Sequence, residues 1–126
     1  MAKVDMSKAM PQEIEVWFVI PAIRRELAKI FIKDHKLSQK QAADKLGISE
    51  AAISQYLSGK RGSELRFSES EKEKIKESAK KIVDGSNIME EMYSLVSSLR
   101  ACESVCSMHK RFDKELPHDC QICMGR

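Results

Sequence analysis

Two short stretches of this chain each open on a serine and close on a glycine, with almost nothing between them. They run from Ser38 to Gly47 and from Ser49 to Gly59. Ser38 with Gln41 has capping-box spacing, and Gln39 to Leu46 continues helically. Gly47 breaks the pattern, Ser49 caps a second helix to about Ser58, and Gly59 and Gly62 end it. A turn this tight between crossed helices needs a positive φ, which Gly47 supplies. Ala43 must be small because the second helix crosses close above it. Leu46, Ile48, Ile53 and Leu57 are expected to point inward and fix the crossing angle. That leaves Ser49, Glu50, Ala51, Ser54 and Gln55 exposed on the second helix, where they can reach base edges in a major groove. Lys60 and Arg61, just past its end, are placed to meet phosphates.

The stretch from Leu37 to Gly62 resembles the Cro/repressor-type helix-turn-helix, the XRE group. The resemblance implies binding to double-stranded DNA. Gln39 matches the glutamine that often begins the first helix of that motif, where it contacts the DNA backbone or braces a recognition side chain. Pro21-Ala22-Ile23-Arg24-Arg25-Glu26-Leu27-Ala28-Lys29, then the motif, then Ser54 to Gly62, is similar to a group of archaeal transcriptional regulators. In that group a cysteine-rich C-terminal segment follows the DNA-binding domain. The competing reading is a helical hairpin with no role on DNA. Against it, Ala43, Gly47, Ile53 and the two caps agree together, and a basic end follows.

The rest of the chain reads as helix too. Gly (5) and Pro (3) are scarce among 126 residues, and no internal repeat is visible. Residues 1–10 carry no periodic signal and are read as a flexible N-terminus. From Pro11 onward Ile14, Trp17 and Phe18, then Ile23, Leu27, Ile30 and Phe31, recur at helical spacing. Pro21 lacks an N–H, so it should break or kink a helix there, or open a new one in its first turn. The expectation is a short helix over 11–19 and a longer one over 21–35. Ser68 with Glu71 starts another, from about Glu69 to Val83, with Ile75, Ala79, Ile82 and Val83 on one face. Asp84 to Asn87 is a turn, and a last helix should run from Ile88 to Cys106 or Lys110. The expected fold is all-α: a Cro/repressor-like domain over 11–84, then a long C-terminal helix and an irregular cysteine-containing tail over 85–126.

Net charge is only +3, from 22 basic and 19 acidic residues, so any grip on DNA must come from a local patch. Lys60, Arg61, Arg24 and Arg25 are the candidates. No apolar run is long enough to span a bilayer and no secretory leader is visible, so the chain is expected to be cytoplasmic.

All four cysteines lie in the last 25 residues, and such crowding needs a cause. Ile88, Met92, Leu95, Leu99, Cys102 and Cys106 are spaced as a heptad seam. Packing on the 69–83 helix explains that seam about as well as pairing with a second copy. Repressor-like domains bind paired half-sites, which favours a homodimer interface here. Cys102 and Cys106 can be buried members of the seam. Cys120 and Cys123 have no core pattern to complete, and their CxxC spacing lets two sulfurs converge on one metal. Together the four give C-x3-C-x13-C-x2-C, a four-thiolate set for an iron–sulfur cluster or, alternatively, zinc. The helical C-x3-C is unusual for zinc and favours the cluster. His35, His109 and His118 are expected to be ordinary surface histidines. A thiol oxidoreductase built on Cys120 and Cys123 lacks the preceding strand of a thioredoxin-like unit. With no phosphate loop, HExxH or triad, neither an enzyme nor a small-molecule substrate is expected.

Overall fold

Ser38, Ser49, Ser68 and Asn87 each stand immediately before a helix, and each offers a side-chain oxygen to the helix's first turn. Orphan N–H groups at a helix start need such acceptors. The Ser38 and Ser68 boxes are reciprocal, the backbone N–H of each serine donating to Gln41 Oε1 (2.9 Å) or Glu71 Oε1 (2.6 Å). Asn87 Oδ1 accepts from the Glu90 N–H at 3.1 Å, so the residue read as plain turn is also a cap. The computed structural model describes residues 10–99. Over them the chain is all-α: α1 (Pro11–Ile14), a π-helical turn (Glu15–Val19), α2 (Ile20–Lys33), α3 (Gln39–Leu46), α4 (Glu50–Ser58), α5 (Glu69–Val83) and α6 (Ile88–Leu99).

The N-terminal part follows the expected pair of helices, with Pro21 in the first turn of the second, and adds a π turn where the two join. The chain passes through that turn and restarts as α2. A proline ring collides with the carbonyl four residues back, and its nitrogen has no proton to give. The wider turn absorbs both problems, the Ile20 N–H reaching back to Glu15 O. At the other end of α2, Lys36 adopts φ 57, and the Leu37 N–H closes on Phe31 O at 3.0 Å.

α2 is the central strut, packing on α3, α4 and α5. Ile23, Leu27, Ala28 and Phe31 of α2 are enclosed with Ala42, Ala43 and Leu46 of α3, Ile53 of α4, and Ile75, Ala79 and Ile82 of α5. Each large aliphatic or aromatic side chain buried this way contributes about 1.5–3 kcal/mol. α6 lies on α5 and completes the same core with Leu95 and Leu99, while Ile88 and Met92 are half-buried against it. Of the described seam residues, Leu95 and Leu99 are enclosed within one chain, whereas Ile88 and Met92 remain half-buried. Cys102, Cys106 and the expected extension of the last helix lie outside the described residues.

Candidate nucleic-acid interface

The site starts from the turn between α3 and α4. Gly47 sits at φ 70, where a side chain would be strained, and its N–H reaches both Ala43 O and Asp44 O. The Ile48 N–H also returns to Ala43 O, at 3.0 Å. Three bonds on two carbonyls hold the reversal tightly enough for α4 to start at once. Ser49 then caps α4, its Oγ accepting from the Ala52 N–H at 3.1 Å. Ala43 is buried, as its small size requires, and Ile53 is fully enclosed. Ile48 and Leu57 are half-buried against the core. Tyr56 is buried as well, an inward residue that the pattern of Ile48, Ile53 and Leu57 did not include. Its place three residues after Ile53 is the helical signal that points to it.

Packing of that inner face leaves the outer face of α4 to solvent. Ser49, Glu50, Ala51 and Ser54 are exposed or nearly so, as the motif requires. Gln39, the first residue of α3, is exposed too, with Lys40 beside it. Ser49, Glu50 and Ser54 place side-chain polar groups on this surface, and Ala51 adds only a methyl. Gln55 does not join them. It is half-buried, and its Oε1 is enclosed with no hydrogen-bond partner among the described residues. The expectation of a freely exposed Gln55 is corrected on that ground: its position lies at the boundary of the packed face rather than on the outer edge.

Lys60 and Arg61 are both exposed. Their loop is tied to the end of α4 through one atom. Gln55 O accepts from the Lys60 N–H (3.0 Å) and the Arg61 N–H (3.3 Å), and Ser58 Oγ donates to it as well (3.2 Å). That backbone role of Gln55 carries no sequence signal, because any residue has the carbonyl. The two arginines of α2 part company. Arg25 lies against the loop, its Cβ 3.2 Å from where a Cβ on Gly62 would sit. Arg24 instead lines a groove between α2 and α6.

That groove is about 860 Å³, with Ile20, Arg24, Leu46 and Gly47 on one wall and Met89 and Tyr93 on the other. Met89 and Tyr93 are each 76% exposed, unusual for side chains of their size. His35 is half-buried, its ring tilted against Phe31 at 6.4 Å between centroids. Among the described residues no three His, Cys, Asp or Glu side chains gather as a metal would need. Cys102, Cys106, Cys120 and Cys123, with His109 and His118, lie outside those residues.

A helix-turn-helix family model, of the Cro/C1 type, matches residues 27–65, which is less than half of the chain. The match runs from the second half of α2 through the loop after α4, the part whose geometry is given above. No curated protein and no solved structure matches the chain. No helix among the described residues is long and apolar enough to cross a membrane. Residues 27–65 are thus similar to the helix-turn-helix domains of DNA-binding transcriptional regulators.

Proposed function

We propose that this protein is a sequence-specific transcriptional regulator that reads DNA with α4 and senses redox state or iron through its C-terminal cysteines. The observation that carries the DNA part is the pairing of a small, polar outer face on α4 with an exposed, backbone-anchored Lys60–Arg61 loop at its end. Ser49, Glu50, Ala51 and Ser54 meet base edges, Gln39 meets the backbone beside them, and Lys60 and Arg61 meet phosphates. Phosphate contacts release counterions, so binding must weaken with salt. Selection from a random pool of duplexes, followed by titration of the winner across a salt series, tests this reading. A recovered consensus site and a steep negative slope are expected. Recovery of no consensus would end the claim of sequence specificity.

The protein acts as a cytoplasmic homodimer on paired half-sites. With Leu95 and Leu99 committed to the monomer, the surface left for a second copy is the other face of α6, where Met89 and Tyr93 stand in water. A two-fold interface uses the same patch on both copies, so a single apolar face suffices.

The sensing part rests on the donor set alone. Cys102, Cys106, Cys120 and Cys123 supply four thiolates, the complement of an iron–sulfur cluster or of a structural zinc ion. The cluster reading is preferred because one of the two cysteine pairs has C-x3-C spacing. A bound cluster would supply redox sensitivity, and the four residues would hold it at the end of the chain that follows α6. Metal and sulfide analysis of protein purified without oxygen separates the two. Iron with acid-labile sulfide is expected. One zinc per chain and no iron would leave a DNA-binding protein with a structural staple.

A further inference from the structure

Gly62 is buried although it follows two exposed, charged residues. Its φ is 75, and the space where a side chain would stand is taken by the carbonyl of Pro21 and by Arg25 Cβ. Gly59, in the same loop at φ 85, faces open space. The two glycines therefore serve different ends. Gly59 turns the chain out of α4, and Gly62 lets the loop lie directly on the first turn of α2. Arg25 forms the wall of that seat. It is half-buried, and its Nε is enclosed with no hydrogen-bond partner among the described residues. At its other end the loop hangs from Gln55 O through the Lys60 and Arg61 N–H groups. Lys60 and Arg61 thus sit between two anchors, one on α4 and one on α2.

We propose that Gly62 is a positioning residue for DNA binding: its seat on Pro21 and Arg25 holds the backbone of Lys60 and Arg61 at a fixed offset from α4. This rests on the reading of those two cations as phosphate-binding groups. A long basic side chain on a loose loop must give up more freedom to reach a phosphate than one on an anchored loop. The seat also ties the phosphate-binding loop to α2, so base-reading helix, loop and strut dock as one body. The seat depends on the restart at Pro21, since the proline's own carbonyl is the surface that Gly62 touches.

The test compares Gly62→Ala with Gly59→Ala, titrating each against a mixed-sequence duplex across a salt series. Both variants place a side chain at positive φ, and only the first collides with α2. The double variant Lys60→Ala/Arg61→Ala should lower the salt slope by about 2, about one for each phosphate no longer neutralised. Gly62→Ala should lower it by about 1–2, and Gly59→Ala should leave it at the wild-type value. Amide hydrogen exchange gives a readout without DNA: Lys60 and Arg61 should exchange faster in Gly62→Ala only. If Gly62→Ala does not fold, Gly62→Asn keeps the collision while tolerating the left-handed backbone better. A folded Gly62 variant with wild-type slope and wild-type exchange would overturn the proposal. Faster exchange with an unchanged slope would overturn it too. Wild-type protein that binds no duplex at all would remove the phosphate-binding reading, whatever the exchange data say.

Discussion

α4 and α6 are built alike on their inner faces and unlike on their outer ones. Each starts at a side-chain cap, Ser49 or Asn87, and each sets apolar residues into the common core, Ile53 from one and Leu95 and Leu99 from the other. Outside, α4 shows Ser49, Glu50, Ala51 and Ser54, whereas α6 shows Met89 and Tyr93. The difference separates two kinds of surface. Small polar groups keep their hydrogen bonds to water until a partner with matching donors and acceptors replaces it. Large apolar groups gain simply by leaving water, and select a partner by shape. Under the proposed function, the outer face of α4 meets a hydrated nucleic-acid groove and that of α6 meets a second copy of the chain.

The largest effect should come from the inner face of α6. Leu99→Ala removes a fully enclosed side chain and is expected to cost about 2–5 kcal/mol. Urea unfolding at several protein concentrations checks it. A loss that varies with concentration would mean that Leu99 is buried between copies instead. The caps sharpen the comparison next. Ser49→Ala and Asn87→Ala should each lower stability by about 0.5–2 kcal/mol. Only Ser49→Ala should also weaken operator binding when both are assayed well below their melting temperatures. Equal loss of binding would make the effect one of stability alone. The smallest change in stability is expected on the outer face of α6. Tyr93→Glu should leave unfolding of the monomer within about 0.5 kcal/mol of wild type, since the residue is largely in water. Sedimentation should nevertheless show the dimer dissociated. A dimer unchanged by Tyr93→Glu would assign the interface elsewhere.

Much of the helix-turn-helix is legible in the residues alone. Ser38, Gln41, Gly47, Ser49 and Gly59 act on neighbours a few residues away, so their spacing states the geometry they enforce. Lys60 and Arg61 are legible for the same reason, as charges placed just past a helix end. Gln55 is not. At its position a helix side chain lies near the boundary between inner and outer faces, and only the packing of the neighbouring helices decides which way it counts. The seam on α6 is ambiguous in a similar way. Its heptad spacing states that a stripe is apolar and says nothing of which helix covers it. Pro21 is legible as an obstacle, but the choice among a break, a kink and a restart depends on how much wider a turn the surrounding core accepts.

By itself, then, the sequence determined where α3, α4 and α5 begin, where α3 and α4 end and how sharply α3 turns into α4, because serine caps and left-handed glycines find their partners within a single turn of chain. The tertiary structure decided the rest. It chose α5 as the partner of α6, enclosed the Gln55 amide oxygen, and made Gly62 necessary at a contact with Pro21 that is remote in the chain. Such contacts arise only when the packing of several helices closes at once, and no local pattern of residues encodes the distance between surfaces that meet in that way.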